Sequence, residues 1–276
     1  SKLFQPLVSL KESSEENGKY LFRNEEGWWR MSEFAAGYKS YERAPDVVVA
    51  SQAGRTVGTM IVALSDFEVD KLHVTIPDFH NLKKRMEQFD QAKANGSKDR
   101  IKEAEDVIKE IDTIAPEFLG MYDAACSGDL PLRASHNDTK FNNLLFHPDK
   151  HVGIVVDLDT LMPGYSIFDI GDVLRSGMIS AEEDEADLTK VQLNKEAYDA
   201  FVSTFLETAE SVLSPKEIEY IPLSGGFMSF MLAVRFLSDY LNGDTYFKTK
   251  YSSHNLVRAR CQVKVCTLFS ELISVK

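Results

Sequence analysis

A chain of 276 residues is long enough for one large domain or two modest ones, and 43% hydrophobic residues are enough to build a core. The formal net charge is −12, with 43 acidic against 31 basic residues, which disfavours nucleic acid or an anionic membrane as partner. Cys126, Cys261 and Cys266 are scattered without metal-ligand spacing, which suits a reducing compartment and argues against a zinc site. No run approaches the roughly 18–20 apolar residues of a membrane span, and Ser1-Lys2-Leu3-Phe4 does not read as a signal peptide. A cytoplasmic monomer is expected.

Residues 3–10 and 19–23 read as strands around the turn Ser13 to Gly18. A second turn, Asn24 to Gly27, leads to Trp28 to Phe34, which makes a three-stranded antiparallel fragment at most. Ala44 to Leu64 suits a helix, with Pro45 in its first turn and Ala50, Ala53, Val57, Met60, Ile61 and Leu64 at helical spacing. Residues 82–95 and 98–113 are charged and helical, broken at Asn95-Gly96-Ser97, and the second helix resumes after Pro116 to about Ala125. Helices return at 194–213, at 215–242 with interruptions, and at 253–273. Ser214-Pro215-Lys216-Glu217 has the form of a capping box, and Gly243 a helix stop. The expected architecture is α+β. A small antiparallel β piece at 1–36 precedes a larger, mainly helical lobe at 37–276 that carries β-hairpins.

Those hairpins hold the most informative stretch. His136-Asn137-Asp138-Thr139-Lys140-Phe141-Asn142-Asn143 is followed by the strand pair 143–146 and 153–156, joined by turn residues 147–151 and ending on Asp157-Leu158-Asp159. Carboxylate, amide and second carboxylate suit phosphoryl transfer, which needs an acceptor hydroxyl held in line and cations on the phosphate oxygens. Asp138 fits the orienting base. Asn143 and Asp157 fit magnesium, a hard ion that takes oxygen ligands. The bland alternative for Asp138 is a turn cap.

His136 to Asn143 followed by a strand-end Asp resembles the aminoglycoside phosphotransferase and choline kinase superfamily, relatives of the protein kinases. The segments Asp157 to Gly164, Phe168-Asp169-Ile170-Gly171-Asp172 and Val234 to Asp244 look closer still to N-acetylhexosamine 1-kinases. The resemblance runs from about Trp28 onward. It implies a protein-kinase-like fold, ATP and Mg2+ as cofactors, and a sugar acceptor phosphorylated at its anomeric hydroxyl. It places the hinge at Arg30 to Gly37, with adenine on the backbone of Ser32, Glu33 and Phe34. His136 and Asp169 become braces of the catalytic loop, and Arg235 and Tyr246 acceptor contacts. An aminoglycoside, choline or another amino alcohol is the alternative acceptor, and a noncatalytic kinase remnant the alternative of another class.

Several residues keep more than one reading. Arg235, in an apolar helix, is a buried ion pair or a fork for sugar oxygens. Lys140 touches the γ-phosphate or is solvated. Asp159 reaches a second magnesium, a substrate hydroxyl or the following turn. His80 caps the next helix or meets substrate. The Gly-rich loop and strand lysine expected of such kinases are not found before Trp28. Either a fragment of a longer kinase or a naturally shortened protein is expected, and the activity of this chain is open.

Overall fold

The computed structural model describes residues 21–274. The strand expected at 3–10 and the turn after it lie outside the described residues. The first described element is a hairpin of β1 (Phe22–Asn24) and β2 (Gly27–Trp29), with Phe22 opposite Trp29. The Asn24 Oδ1 accepts N–H bonds from Glu26 (2.9 Å) and Gly27 (3.1 Å), and Gly27 adopts φ +139, so this turn forms as the sequence suggests. Two strands are described here, where three were the expected maximum.

Two further small sheets set up the rest. β3 (Lys39–Ser40), β5 (Leu144–Phe146) and β6 (Ile154–Val155) form one antiparallel sheet in the order β3-β5-β6. β4 (Arg133–Ser135) pairs with β7 (Met162–Gly164) in another. The loop 136–143 leaves β4 and enters β5, and the loop 156–161 leaves β6 and enters β7. Pairing Leu144 with Val155 and Ser135 with Met162 therefore clamps both loops side by side.

The helices are α1 (Val47–Ala63), α2 (Leu82–Asn95), α3 (Lys98–Glu103), α4 (Glu105–Ala124), α5 (Ser166–Gly177), α6 (Lys195–Ala209), α7 (Pro215–Leu241) and α8 (His254–Ser274). Asp46 caps α1 by accepting from Val49 N–H at 2.9 Å, so Pro45 stands before the cap rather than in the first turn. The expected break at Pro116 does not occur, and the chain turns at Ala104 instead. Val107, Ile111, Ala115, Phe118 and Tyr122 form one buried stripe on both sides of the proline. Their burial carries α4 past the missing hydrogen bond.

α7 likewise runs without the expected interruptions. Its Gly225 faces the Phe269 ring of α8, where a Cβ would overlap the ring, so the glycine permits close packing rather than a break. The capping box of Ser214 and Glu217 forms at its start, and Gly243 (φ +94) ends it. By length and composition α7 alone among the described helices could cross a membrane, yet most of it is buried against α5, α8 and α2. Two apolar clusters form among the described residues. One joins Phe89, Phe118, Phe227 and Phe230, and the other joins Val57, Phe141, Phe201, Phe205 and Phe269. The second cluster contains Phe141, so the core itself anchors the loop 136–143.

Candidate active site

The loop after β4 is braced from three directions. The His136 ring accepts the Asp138 N–H at Nδ1 (3.2 Å) and donates from Nε2 to the Val156 carbonyl (2.9 Å), tying one loop to the other. Asp169, in the first turn of α5, accepts the N–H groups of His136 (3.0 Å) and Asn137 (2.7 Å). Its own carbonyl accepts from the Thr139 hydroxyl at 2.7 Å. Burial pushes the Asp169 carboxyl up to about 6. Both residues are thus braces, as the resemblance implied. Asn137 stands at φ +64, and its amide donates to the carbonyl of Ser135 (2.8 Å) and, at longer range, to those of Thr160 and Met162 (both 3.2 Å).

The third brace is His80, in the loop between α1 and α2. Its Nε2 donates to the Asn137 carbonyl at 2.7 Å. The next residue, Asn81, caps α2, so the helix cap expected of His80 falls to its neighbour. Burial lowers the His80 pKa to about 4, which keeps the ring neutral. It lies against the rings of Phe79 and Phe168.

Held this way, Asp138 and Asn143 converge. The Asn143 amide donates to the Asp138 carbonyl (2.8 Å) and to Asp138 Oδ2 (3.2 Å), and Lys140 Nζ meets the same Oδ2 at 3.1 Å. The Asp138 side chain keeps 26% of its surface exposed, so a hydroxyl can reach it. Asp157 follows Val156, whose N–H donates to the Asn143 carbonyl at 3.0 Å. It is exposed and sits at φ +63. An amide oxygen just before β5 and a carboxylate just after β6 fit magnesium, which takes its remaining ligands from phosphates and water. No group of three His, Cys, Asp or Glu side chains suited to a metal occurs among the described residues.

Asp159 gains a partner that the sequence did not show. It pairs with Arg30, a partner 129 residues away that was not weighed. Hydrogen bonding to Asp159 holds Arg30 more firmly protonated, with a smaller contribution from Asp157. This pair brings the segment after β2 against the 157–160 turn. Ser32, Glu33 and Phe34 follow it, all exposed, with Phe34 88% exposed.

Arg235 lies on α7, and among the described residues it has no ion pair. Its guanidinium is enclosed by the rings of Phe247 (5.4 Å), Tyr246 (5.8 Å) and Phe79 (5.9 Å). Burial, and then the neighbouring Arg85, lower its pKa. Both arginines line a cavity of about 460 Å³, together with Gln88, Asp239, Tyr246 and Phe247. Tyr246 covers Arg235 yet is 73% exposed. The sequence reading missed Arg85, Phe79 and Asp239. Arg85 looked like one more solvated charge on a charged helix, and nothing local to it signals the cavity.

The phosphotransferase enzyme family matches residues 15–201. Three solved structures show the same fold. An aminoglycoside phosphotransferase from Alicyclobacillus acidocaldarius superposes with a TM-score of 0.70 at 14% identity, covering 99% of this chain and 78% of that one. A microcompartment-associated aminopropanol kinase gives 0.61 at 13% identity, covering 98% and 77%. Choline kinase from Cryptosporidium parvum gives 0.52 at 13% identity, covering 92% and 74%.

Proposed function

The chain belongs to the phosphotransferase enzyme family, and from that premise we propose that it transfers the γ-phosphoryl group of ATP to a small neutral sugar, an N-acetylhexosamine at its anomeric hydroxyl. In this reading Asp138 orients the acceptor hydroxyl and takes its proton as the new O–P bond forms. The bond between the γ-phosphorus and the bridging oxygen breaks, and ADP leaves. Lys140 balances charge beside Asp138, and the Asn143 amide fixes the carboxylate. Asn143 and Asp157 hold magnesium, which neutralises phosphate charge when bound. The backbone of Ser32 to Phe34 receives adenine. Asp159 orders the Asp157 turn through Arg30.

The observation that carries the choice of acceptor is the charge of the Arg235 cavity. Two arginines line it, and its one carboxylate, Asp239, accepts backbone N–H groups from Thr245 (2.9 Å), Tyr246 (2.8 Å) and Phe247 (2.9 Å). A quaternary or primary ammonium would meet a net positive charge there. Sugar oxygens and an acetamido carbonyl would instead accept the guanidinium N–H groups, and Tyr246 and Phe247 offer faces to a sugar ring. The N-acetylhexosamine itself rests on the resemblance of 157–164 and 234–244. An amino alcohol is the second reading, supported by the names of the aminopropanol and choline kinases that share the fold.

An ATP-consumption assay over N-acetylglucosamine, N-acetylgalactosamine, choline, ethanolamine and an aminoglycoside separates them. Turnover with the two N-acetylhexosamines and none with the cations is expected, and preference for a cation contradicts the proposal. Arg235→Ala should raise the acceptor KM about tenfold or more, since it leaves acceptor oxygens without a charged donor.

A further inference from the structure

The chain reverses just after α7, and one side chain organises the reversal. Gly243 and Asp244 stand at φ +94 and +60, turning the backbone back over the helix end. The carbonyl of Asp239 accepts the Asp244 N–H at 2.8 Å. Its carboxylate then accepts three consecutive N–H groups. Oδ1 takes those of Thr245 (2.9 Å) and Tyr246 (2.8 Å), and Oδ2 takes that of Phe247 (2.9 Å) and the Asn255 amide of α8 (2.9 Å). The Asn255 amide also reaches Asp244 Oδ1 at 2.9 Å, and Arg100 pairs with the other Asp244 oxygen at 2.6 Å. Asp239 is 6% exposed.

We propose that Asp239 is a positioning residue for the acceptor. By gathering the N–H groups of 245–247 it sets the Tyr246 and Phe247 rings over Arg235, and so fixes one wall of the cavity. This rests on the acceptor reading of Arg235 given above. The residue spacing supports it. Arg235 and Asp239 are one helical turn apart and share a face of α7. The helix therefore presents the guanidinium and the clamp for its aromatic cover together. A purely structural role for Asp239 would need only the loop to be closed. The rings it places are the two that contact Arg235 from this loop. The same bonding occupies both Asp239 oxygens, so an acceptor could hydrogen-bond there only by displacing an N–H donor.

The test compares the parent chain with Asp239→Asn, which keeps the shape but turns an amide N–H toward N–H donors. Hydrogen exchange is read at the amides of 245, 246 and 247, and binding of N-acetylglucosamine is read by calorimetry. The proposal predicts faster exchange at those three amides, an unchanged melting temperature within a few degrees, and an acceptor dissociation constant raised about tenfold, on the order of one lost charge-assisted hydrogen bond. In turnover the acceptor KM rises and kcat holds. Unchanged exchange overturns it, as does faster exchange with unchanged affinity. If Asn unfolds the chain, Tyr246→Ala with Phe247→Ala removes the rings and keeps the clamp. That variant must lose affinity to the same degree, and retained affinity overturns the proposal. A parent chain that binds no N-acetylhexosamine refutes the proposed acceptor, and the exchange result still decides the clamp.

Discussion

Asp138 gathers most of the local design. Its N–H rests on His136, its carboxylate meets Asn143 and Lys140, and the residue before it is held by His80 and Asp169. Asp138→Asn should lower turnover by about 10² to 10⁴, the usual contribution of a positioned base, with the fold retained. A steady-state assay with a melting curve checks both halves. The two buried braces make opposing pH signatures. The unfolded chain protonates His80 near 6.5 and the folded chain near 4, so stability from this group rises with pH through that window and is lost on acidification. The folded chain keeps the Asp169 proton up to about 6, whereas the unfolded chain sheds it near 3.8, so stability from that group falls as pH rises. His80→Gln should therefore tilt the stability profile between pH 4 and 6 downward with rising pH, and Asp169→Asn should tilt it upward. Each change should be on the order of 2 kcal/mol across the window, read from urea midpoints. The bracing by His136 and Asp169 was legible through the resemblance of the motifs that carry them. Arg30–Asp159 and the Asp239 clamp were not, because each joins residues whose partners are set by chain folding rather than by local pattern.

At the scale of elements, periodicity found most of the described helices, and local breakers misled. Pro116 and the interruptions expected within 215–242 do not break the helices, because the buried stripe of α4 and the α7–α8 contact decide the outcome. The capping box at Ser214 was readable because its chemistry lies within four residues. The small sheets were only partly so. The hairpin β5–β6 was legible, whereas β3 and the β4–β7 pair are very short and form between distant segments. A test at this scale uses Gly177, the last residue of α5, where a Cβ would overlap the Phe141 ring. Gly177→Ala should cost about 1–3 kcal/mol by overpacking. It should also reduce turnover more than a control of equal stability loss, because Phe141 opens the turn that carries Asn143. Chemical denaturation and kcat measured on the same preparations check this.

For the whole molecule, the net charge of −12 and the locally basic Arg235 cavity have opposite signs. Composition therefore speaks to the surface, and only the fold shows which charges converge. The second apolar cluster anchors Phe141 beside α5, and α5 packs on α7, so the loop 136–143 and the Arg235 cavity share one scaffold. The measurement that most directly tests the central claim is phosphorus NMR of ATP and magnesium mixed with N-acetylglucosamine and the protein, run beside its Asp138→Asn variant. ADP and a sugar 1-phosphate signal are expected with the parent protein, and at least about a hundredfold less of both with the variant. Product formed equally by the variant would contradict it, as would a phosphorylated choline from a parallel sample in which the sugar stays unreacted.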